Sequence, residues 1–311
     1  MLKLNLKTTT TCIIAFLFSQ IIFAQKKQDR AKSKMQYSIP FHLTADNNLS
    51  VQAVLNKIDT VELMFHTAAS SVTLIEEATK KAHSLKFGRT DSVKSWGGGG
   101  NSSRFSESNS LQIGDLQWEN IPIWENKNSG PKTDGKFGTD LFKDKVIEVD
   151  FDKSIITLHS SLPGKIKRYE KLNLSFNDDM MFLEASCIIG KDIYRNKFLI
   201  HSGYSGAVLL DDNFIVENRI EQKLKIIDEK ELKDSFGNII KTKKTILPAF
   251  VIGNHKLAEV PAGFFSGAIG RQKMSIIGGD ILKRFNIIID AQRQFIYLKS
   301  NKLEQTNYTN T

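Results

Sequence analysis

Apolar residues along this chain fall in short runs and alternations rather than at helical spacing. Positions 49–55 alternate, 61–65 form an apolar run, and 111–123 read as two strands joined by a turn at Gly114-Asp115. In the second half, 182–189, 197–200 and 246–252 have the same character. Short apolar segments bounded by turn-forming residues are strand signals. Such residues stand at Asp46-Asn47-Asn48, Gly190-Lys191-Asp192 and Gly253-Asn254. Helical patterning is brief, over 74–84, 214–224 and 280–285. The pattern predicts a mainly β protein with small helices.

The chain also repeats itself. Residues 146–158 read VIEVDFDKSIITL and residues 286–298 read NIIIDAQRQFIYL, each an apolar strand ending in aspartate (Asp150, Asp290), a polar turn and a second strand. Upstream of each lies a glycine in apolar company, Gly138 in Phe137-Gly138-Thr139-Asp140-Leu141 and Gly278 in Ile276-Ile277-Gly278-Gly279-Asp280-Ile281-Leu282. Further upstream, Leu63-Met64-Phe65-His66-Thr67-Ala68-Ala69-Ser70 resembles Leu199-Ile200-His201-Ser202-Gly203-Tyr204-Ser205-Gly206. The histidines are 135 positions apart and the glycines 140, so order and spacing recur together. A duplicated chain with two similar lobes follows.

The ends and the composition narrow the picture. Lys3 and Lys7 precede an apolar run at 12–23, and Ala24 stands before Gln25-Lys26-Lys27. A charged start, a short apolar stretch and a small residue are the marks of a secretory signal peptide. The run falls short of the about 20 apolar residues of a spanning helix. Residues 1–24 are therefore expected to be removed, taking Cys12 with them, and 25–35 read as a flexible basic lead-in. The product would be periplasmic or secreted. Cys187 then remains alone, so stability rests on core burial, for which 41% hydrophobic residues suffice. The net charge is +9, and +7 without Lys3 and Lys7. Its lysines are scattered among acidic residues, unlike the clustered footprint of a nucleic-acid binder.

The paired motifs resemble those of the aspartic peptidases of the pepsin/retropepsin superfamily, particularly the bacterial bilobal proteins of aspartyl protease type. The resemblance runs from about residue 38 to 299. It implies a bilobal pepsin-like acid-protease fold, with two retropepsin-like β-barrel lobes at 36–164 and 170–300, a linker within 164–171 and a tail at 301–311. Each family lobe carries an apolar strand running into Asp-Thr/Ser-Gly, crossed later by an apolar-apolar-Gly element. Here His66 and His201 stand where the resemblance implies the catalytic aspartates. Thr67 and Ser202 match the hydroxyls that bond across the lobes, Ser70 and Ser205 the motif serines, and Gly138 and Gly278 the crossing elements. Ala68 replaces a motif glycine. Trp96, Gly97, Gly98, Gly99 and Gly100 fall where the first lobe would carry a flap, or they form a plain surface loop.

The aspartic mechanism uses two carboxylates sharing one proton. Two imidazoles lack that shared negative charge, so the ordinary chemistry is lost. Three accounts of His66 and His201 compete: a non-catalytic protein that binds a peptide or protein segment between its lobes, an acid/base pair in an altered hydrolase, and a zinc or copper site needing further ligands. His42, His83, His159 and His255 read as isolated surface or turn residues. Asp150 and Asp290 read as turn formers, Asp140 and Asp280 as helix caps, and Asp134 as a loop residue without a partner. Trp118 and Trp124 are expected in the core, Cys187 as a buried inert thiol, and a monomer suffices to bring the histidines together.

Overall fold

A computed structural model describes residues 36–94, 100–127, 132–233, 239–265 and 272–309. The segments expected as signal peptide and lead-in lie outside these residues. So do Trp96, Gly97, Gly98 and Gly99, while Gly100 opens the strand Gly100–Ile113.

The two halves build the same object. In the first, six strands close on themselves: Leu49–Leu55, Asp59–Phe65, Gly135–Phe137, Val72–Ile75, Leu116–Asn126 and Gly100–Ile113, the last pairing back onto the first. In the second, Met180–Ile189, Asp192–His201, Ser275–Gly278, Val208–Leu209, His255–Phe265 and Ile239–Ile252 close in the same order. Closure removes the unpaired edges that an open antiparallel sheet would present. Within each barrel the motif strand and the crossing strand run parallel, as do Val72–Ile75 with Leu116–Asn126 and Val208–Leu209 with His255–Phe265. The result is a mainly β protein of two closed six-stranded barrels with few short helices, as the strand pattern and the internal repeat predict.

The repeated segments account for the join. Val146–Asp150 with Ile155–His159 and Phe285–Ile289 with Phe295–Ser300 are two antiparallel hairpins. They meet through their first strands, Ile147 opposite Ile289 and Val149 opposite Ile287. Gln36–Pro40 and Glu170–Asn177 complete a six-stranded sheet shared by the halves. Val146–Asp150 and Phe285–Ile289 are buried at every position. That burial on both faces explains why apolar residues predominate in them without strict alternation, the polar Glu148 and Asn286 being buried with them. Asp150 and Asp290 accept from Lys153 N and from Phe295 N, closing the hairpin turns as expected.

Aromatic packing fills the barrels. Phe65, Phe137 and Phe142 stack in the first with centroids 5.4–5.7 Å apart, and Phe198 meets Phe250 at 5.1 Å in the second. Each such ring contributes roughly 1.5–3 kcal/mol by leaving water. Trp118 packs against the core with Nε1 donating to the Leu141 carbonyl, and Trp124 lies 4.7 Å from Phe105. Cys187 is buried and its thiol is pushed up to about 12 by desolvation, as an inert core thiol should be.

Several expectations are corrected. The helices are Glu76–Lys81, Asp212–Glu217, Ile220–Lys223 and Gly279–Leu282, shorter than the predicted spans. Asp140 and Asp280 do not cap; Gly138 and Gly278 occupy the N-cap positions without side-chain caps. Asp280 instead pairs with Lys283 at 2.7 Å and accepts from Thr309 N. Asp134 has a partner, the Glu62 backbone N–H at 2.8 Å. The segment read as linker stands apart from these corrections: Gly164–Arg168 forms a 3-10 turn between the first hairpin and the strand Glu170–Asn177 of the shared sheet.

Within the segment read as a tail, residues 301–309 are docked against the second lobe. Arg284 is 1% exposed and donates to the Glu304 and Thr306 carbonyls at 2.6 and 2.8 Å, under the Tyr308 ring. A buried guanidinium needs these acceptors, because desolvating it unpaired is costly. Removing everything after Ser300 should therefore lower unfolding stability by about 3 kcal/mol or more. Urea denaturation of the truncated and full chains checks this; an unchanged midpoint would remove the docking role.

Candidate functional site

The motif strands Asp59–Phe65 and Asp192–His201 end side by side where the barrels meet. Each turns sharply, Ala69 N donating to the His66 carbonyl and Tyr204 N to the His201 carbonyl. The following hydroxyls then exchange hydrogen bonds across the lobes. Thr67 Oγ1 donates to the Ile200 carbonyl at 2.7 Å and accepts from Ser202 N at 3.0 Å. Ser202 Oγ donates to the Phe65 carbonyl at 2.7 Å and accepts from Thr67 N at 3.0 Å. Both residues are buried, and these four backbone groups take side-chain partners from the other lobe. Asn48 Nδ2 adds a donor to the Ser202 carbonyl and Asn47 Nδ2 one to the Ser205 carbonyl, each at 2.8 Å. Ser205 thus enters through its backbone, and Ser70 is exposed.

Gly138 and Gly278 cross behind the turns. A Cβ on Gly138 would collide with the Ala69 carbonyl, and one on Gly278 with the Gly206 carbonyl and the Tyr204 ring. Only glycine permits that approach.

The same exchange sets His66 and His201 face to edge, ring centroids 4.5 Å apart and planes inclined by 62°. His66 is buried, and its Nδ1 accepts from Ala68 N at 3.1 Å, which leaves the proton of the neutral ring on Nε2. The ring lies over Gly203, where a Cβ would collide with it. Its counterpart Ala68 packs instead among Leu199, Leu209, Phe265 and Ile276. The pair is therefore asymmetric: glycine is needed under His66, and the alanine methyl has room. His201 is partly exposed, yet its Nδ1 is buried without a hydrogen-bond partner.

Sequence reasoning missed Lys136. In the parallel register Met64 lies beside Lys136 and Phe65 beside Phe137. Phe65 and Phe137 point into the barrel core, so Lys136 takes the opposite face, the one that His66 shares through strand alternation. The second lobe pairs Leu199 with Ile276 at the same step, so an isoleucine occupies the place of Lys136. Aligning the repeats on Gly138 and Gly278 would have exposed this break in the duplication. Burial lowers the Lys136 amine to about 8. Burial also lowers His201 to about 4, with the Lys136 charge as the next cause. His66 falls well below the usual imidazole value through burial, His201 and Lys136 in that order. At neutral pH both imidazoles are uncharged beside a cationic amine. Among the described residues no acidic side chain figures in the ionisation of any of the three, and no third metal-ligating group joins the histidines.

The other histidines lie elsewhere. His42 and His83 are exposed. His159 is not isolated: its Nε2 lies 2.8 Å from buried Glu148, which also pairs with Lys165. His255 lies 3.3 Å from Glu170 and shares a hydrogen bond with Ser300.

Two outcomes follow from this geometry. Thr67→Val or Ser202→Ala should each cost about 1–3 kcal/mol by stranding buried backbone groups. The double variant should lose less than the sum, which a denaturation cycle measures. Second, between pH 6.5 and about 4 the unfolded chain takes up imidazole protons that folded His66 and His201 refuse. Their contribution to stability is complete above pH 6.5 and is lost as the pH falls toward 4. Urea midpoints across that range should drop, and the drop should flatten in His66→Leu/His201→Leu.

No protein-family model matches the chain, and no curated protein matches it in sequence. Among solved structures it is similar to the crystal structure of aspartic proteinase from Irpex lacteus, with a TM-score of 0.60 and 11% sequence identity, over 88% of this chain and 99% of that one. An agreement of that extent at so low an identity is one of architecture: the chain has the bilobal pepsin-like fold of an aspartic proteinase.

Proposed function

We propose that this protein is a non-catalytic relative of the pepsin-like peptidases, in which His66 and His201 stand at the positions of the catalytic aspartates. In this reading the two lobes hold a peptide or protein segment in the cleft between them without cutting it. The single observation that carries the reading is the ionisation of the pair. Two neutral imidazoles beside a cationic amine have none of the negative charge that an aspartic mechanism uses to activate water. The same observation counts against the alternatives. An acid/base pair needs one imidazolium at working pH, which burial and Lys136 oppose. A zinc or copper ion would meet that positive field with two protein ligands from the described residues, below the usual three or four.

The reading includes export, on the strength of the charged and apolar segment ending at Ala24, and a monomer, since one chain supplies both halves of the site. No described helix is long and apolar enough to cross a membrane.

Incubation of the purified protein with casein and a peptide library from pH 3 to 8, with and without zinc, should give no cleavage. His66→Ala/His201→Ala, assayed alongside, should behave identically. Cleavage that disappears in the double variant would make the histidines a catalytic pair and sink this reading.

A further inference from the structure

An amine in a sheet-lined site ordinarily has an acidic neighbour. Lys136 sits in the crossing strand of the first lobe, at a step where the second lobe places the buried Ile276. An isoleucine there completes the packing with Leu199, Leu209 and Phe265. A lysine at the equivalent step gives up that packing and brings a charge that must be desolvated. Its field reaches both histidines, and neither it nor they are offset by a carboxylate among the described residues. His66 offers Nε2–H, because its Nδ1 is occupied by the Ala68 amide. His201 Nδ1 is a buried polar atom without a partner. Lys136 thus shares the face of its strand with His66, whose ring lies 4.5 Å from that of His201, and the charge of the amine is felt by both imidazoles.

We infer that Lys136, His66 and His201 together form a receptor for a single ligand carboxylate. The charges match one to one at pH 7: Lys136 supplies one positive charge and the imidazoles supply neutral hydrogen-bonding groups. A phosphate dianion would exceed that charge, and no guanidinium is present among these three groups to take it in a forked pair. This deepens the cleft-binding reading and rests on it for the place of the rest of the ligand. The carboxylate is either the C-terminus of the bound segment or an Asp or Glu side chain within it.

Calorimetric titration of the purified protein at pH 7 and low salt would use three leucine- and alanine-based hexapeptides of one sequence. One ends in a free carboxylate, one in an amide, and one is amidated with a single internal glutamate. In parallel, sodium acetate would be added while the His66 and His201 imidazole signals are followed by NMR, with acetamide as control. We expect at least one carboxylate-bearing peptide to bind roughly tenfold or more tighter than the neutral amide. Acetate, but not acetamide, should shift both imidazole signals, and Lys136→Met should abolish both effects. A gain confined to the free acid assigns a C-terminus; a gain shared by the glutamate peptide assigns any carboxylate. Equal binding of all three peptides without an acetate shift would overturn the receptor and leave the cleft reading standing. An acetate shift without binding of any peptide would uphold the receptor and overturn the cleft reading, and neither signal would overturn both. Should Lys136→Met fail to fold, the peptide series and the acetate titration on the unmodified protein still decide.

Discussion

Everything at the centre of this molecule depends on two hydroxyl groups that each satisfy the other lobe's backbone. Thr67 and Ser202 are buried, and the carbonyls and amides they serve belong to strands whose own ladders end there. Water cannot reach those groups, so the lobes must meet for either motif turn to be stable. The position of the histidines follows without further tuning. A residue directly before each hydroxyl is carried to the pseudo-twofold axis whatever its side chain.

What occupies the axis inverts the usual electrostatics of the fold. Carboxylates there would draw a shared proton and hold water by negative charge. Imidazoles at the same place are driven to neutrality by burial, and Lys136 biases them further in that direction. The two positions are not equivalent despite the duplication. His66 has its Nδ1 tied to a local amide and its ring over Gly203, whereas His201 has a buried nitrogen without a partner. Asymmetry of this kind suits a site that holds a ligand in one direction.

Much of the architecture was legible because duplication prints each signal twice. The strand Leu49–Leu55, the turn at Gly114-Asp115 and the paired Asp150 and Asp290 hairpins could be read from alternation and turn chemistry. The histidine pair was legible for the same reason, and the role of the hydroxyls through the resemblance of the motifs to the aspartic peptidases. Three features were not. Lys136 is a single lysine among many, and its meaning depends on a parallel register that periodicity does not encode. The docking of residues after Ser300 depends on Arg284, whose burial is unusual for its type. Asp134 found a partner 72 positions away, where local pattern carries no information, and His159 found one across its own hairpin, 11 positions away, which depends on a register that pattern alone does not set.

The shared six-stranded sheet imposes an order on how the chain can be made. Val146–Asp150 is buried along its whole length, yet one of its two neighbours, Phe285–Ile289, is synthesised nearly half a chain later. Until that neighbour arrives, the first half presents an apolar strand with an open hydrogen-bonding edge. A second copy of the same half offers a matching edge, since the two hairpins are near repeats. The duplicated gene therefore carries a standing hazard of cross-pairing between nascent chains, and covalent linkage of the halves is its remedy: the correct edge is always the nearest one.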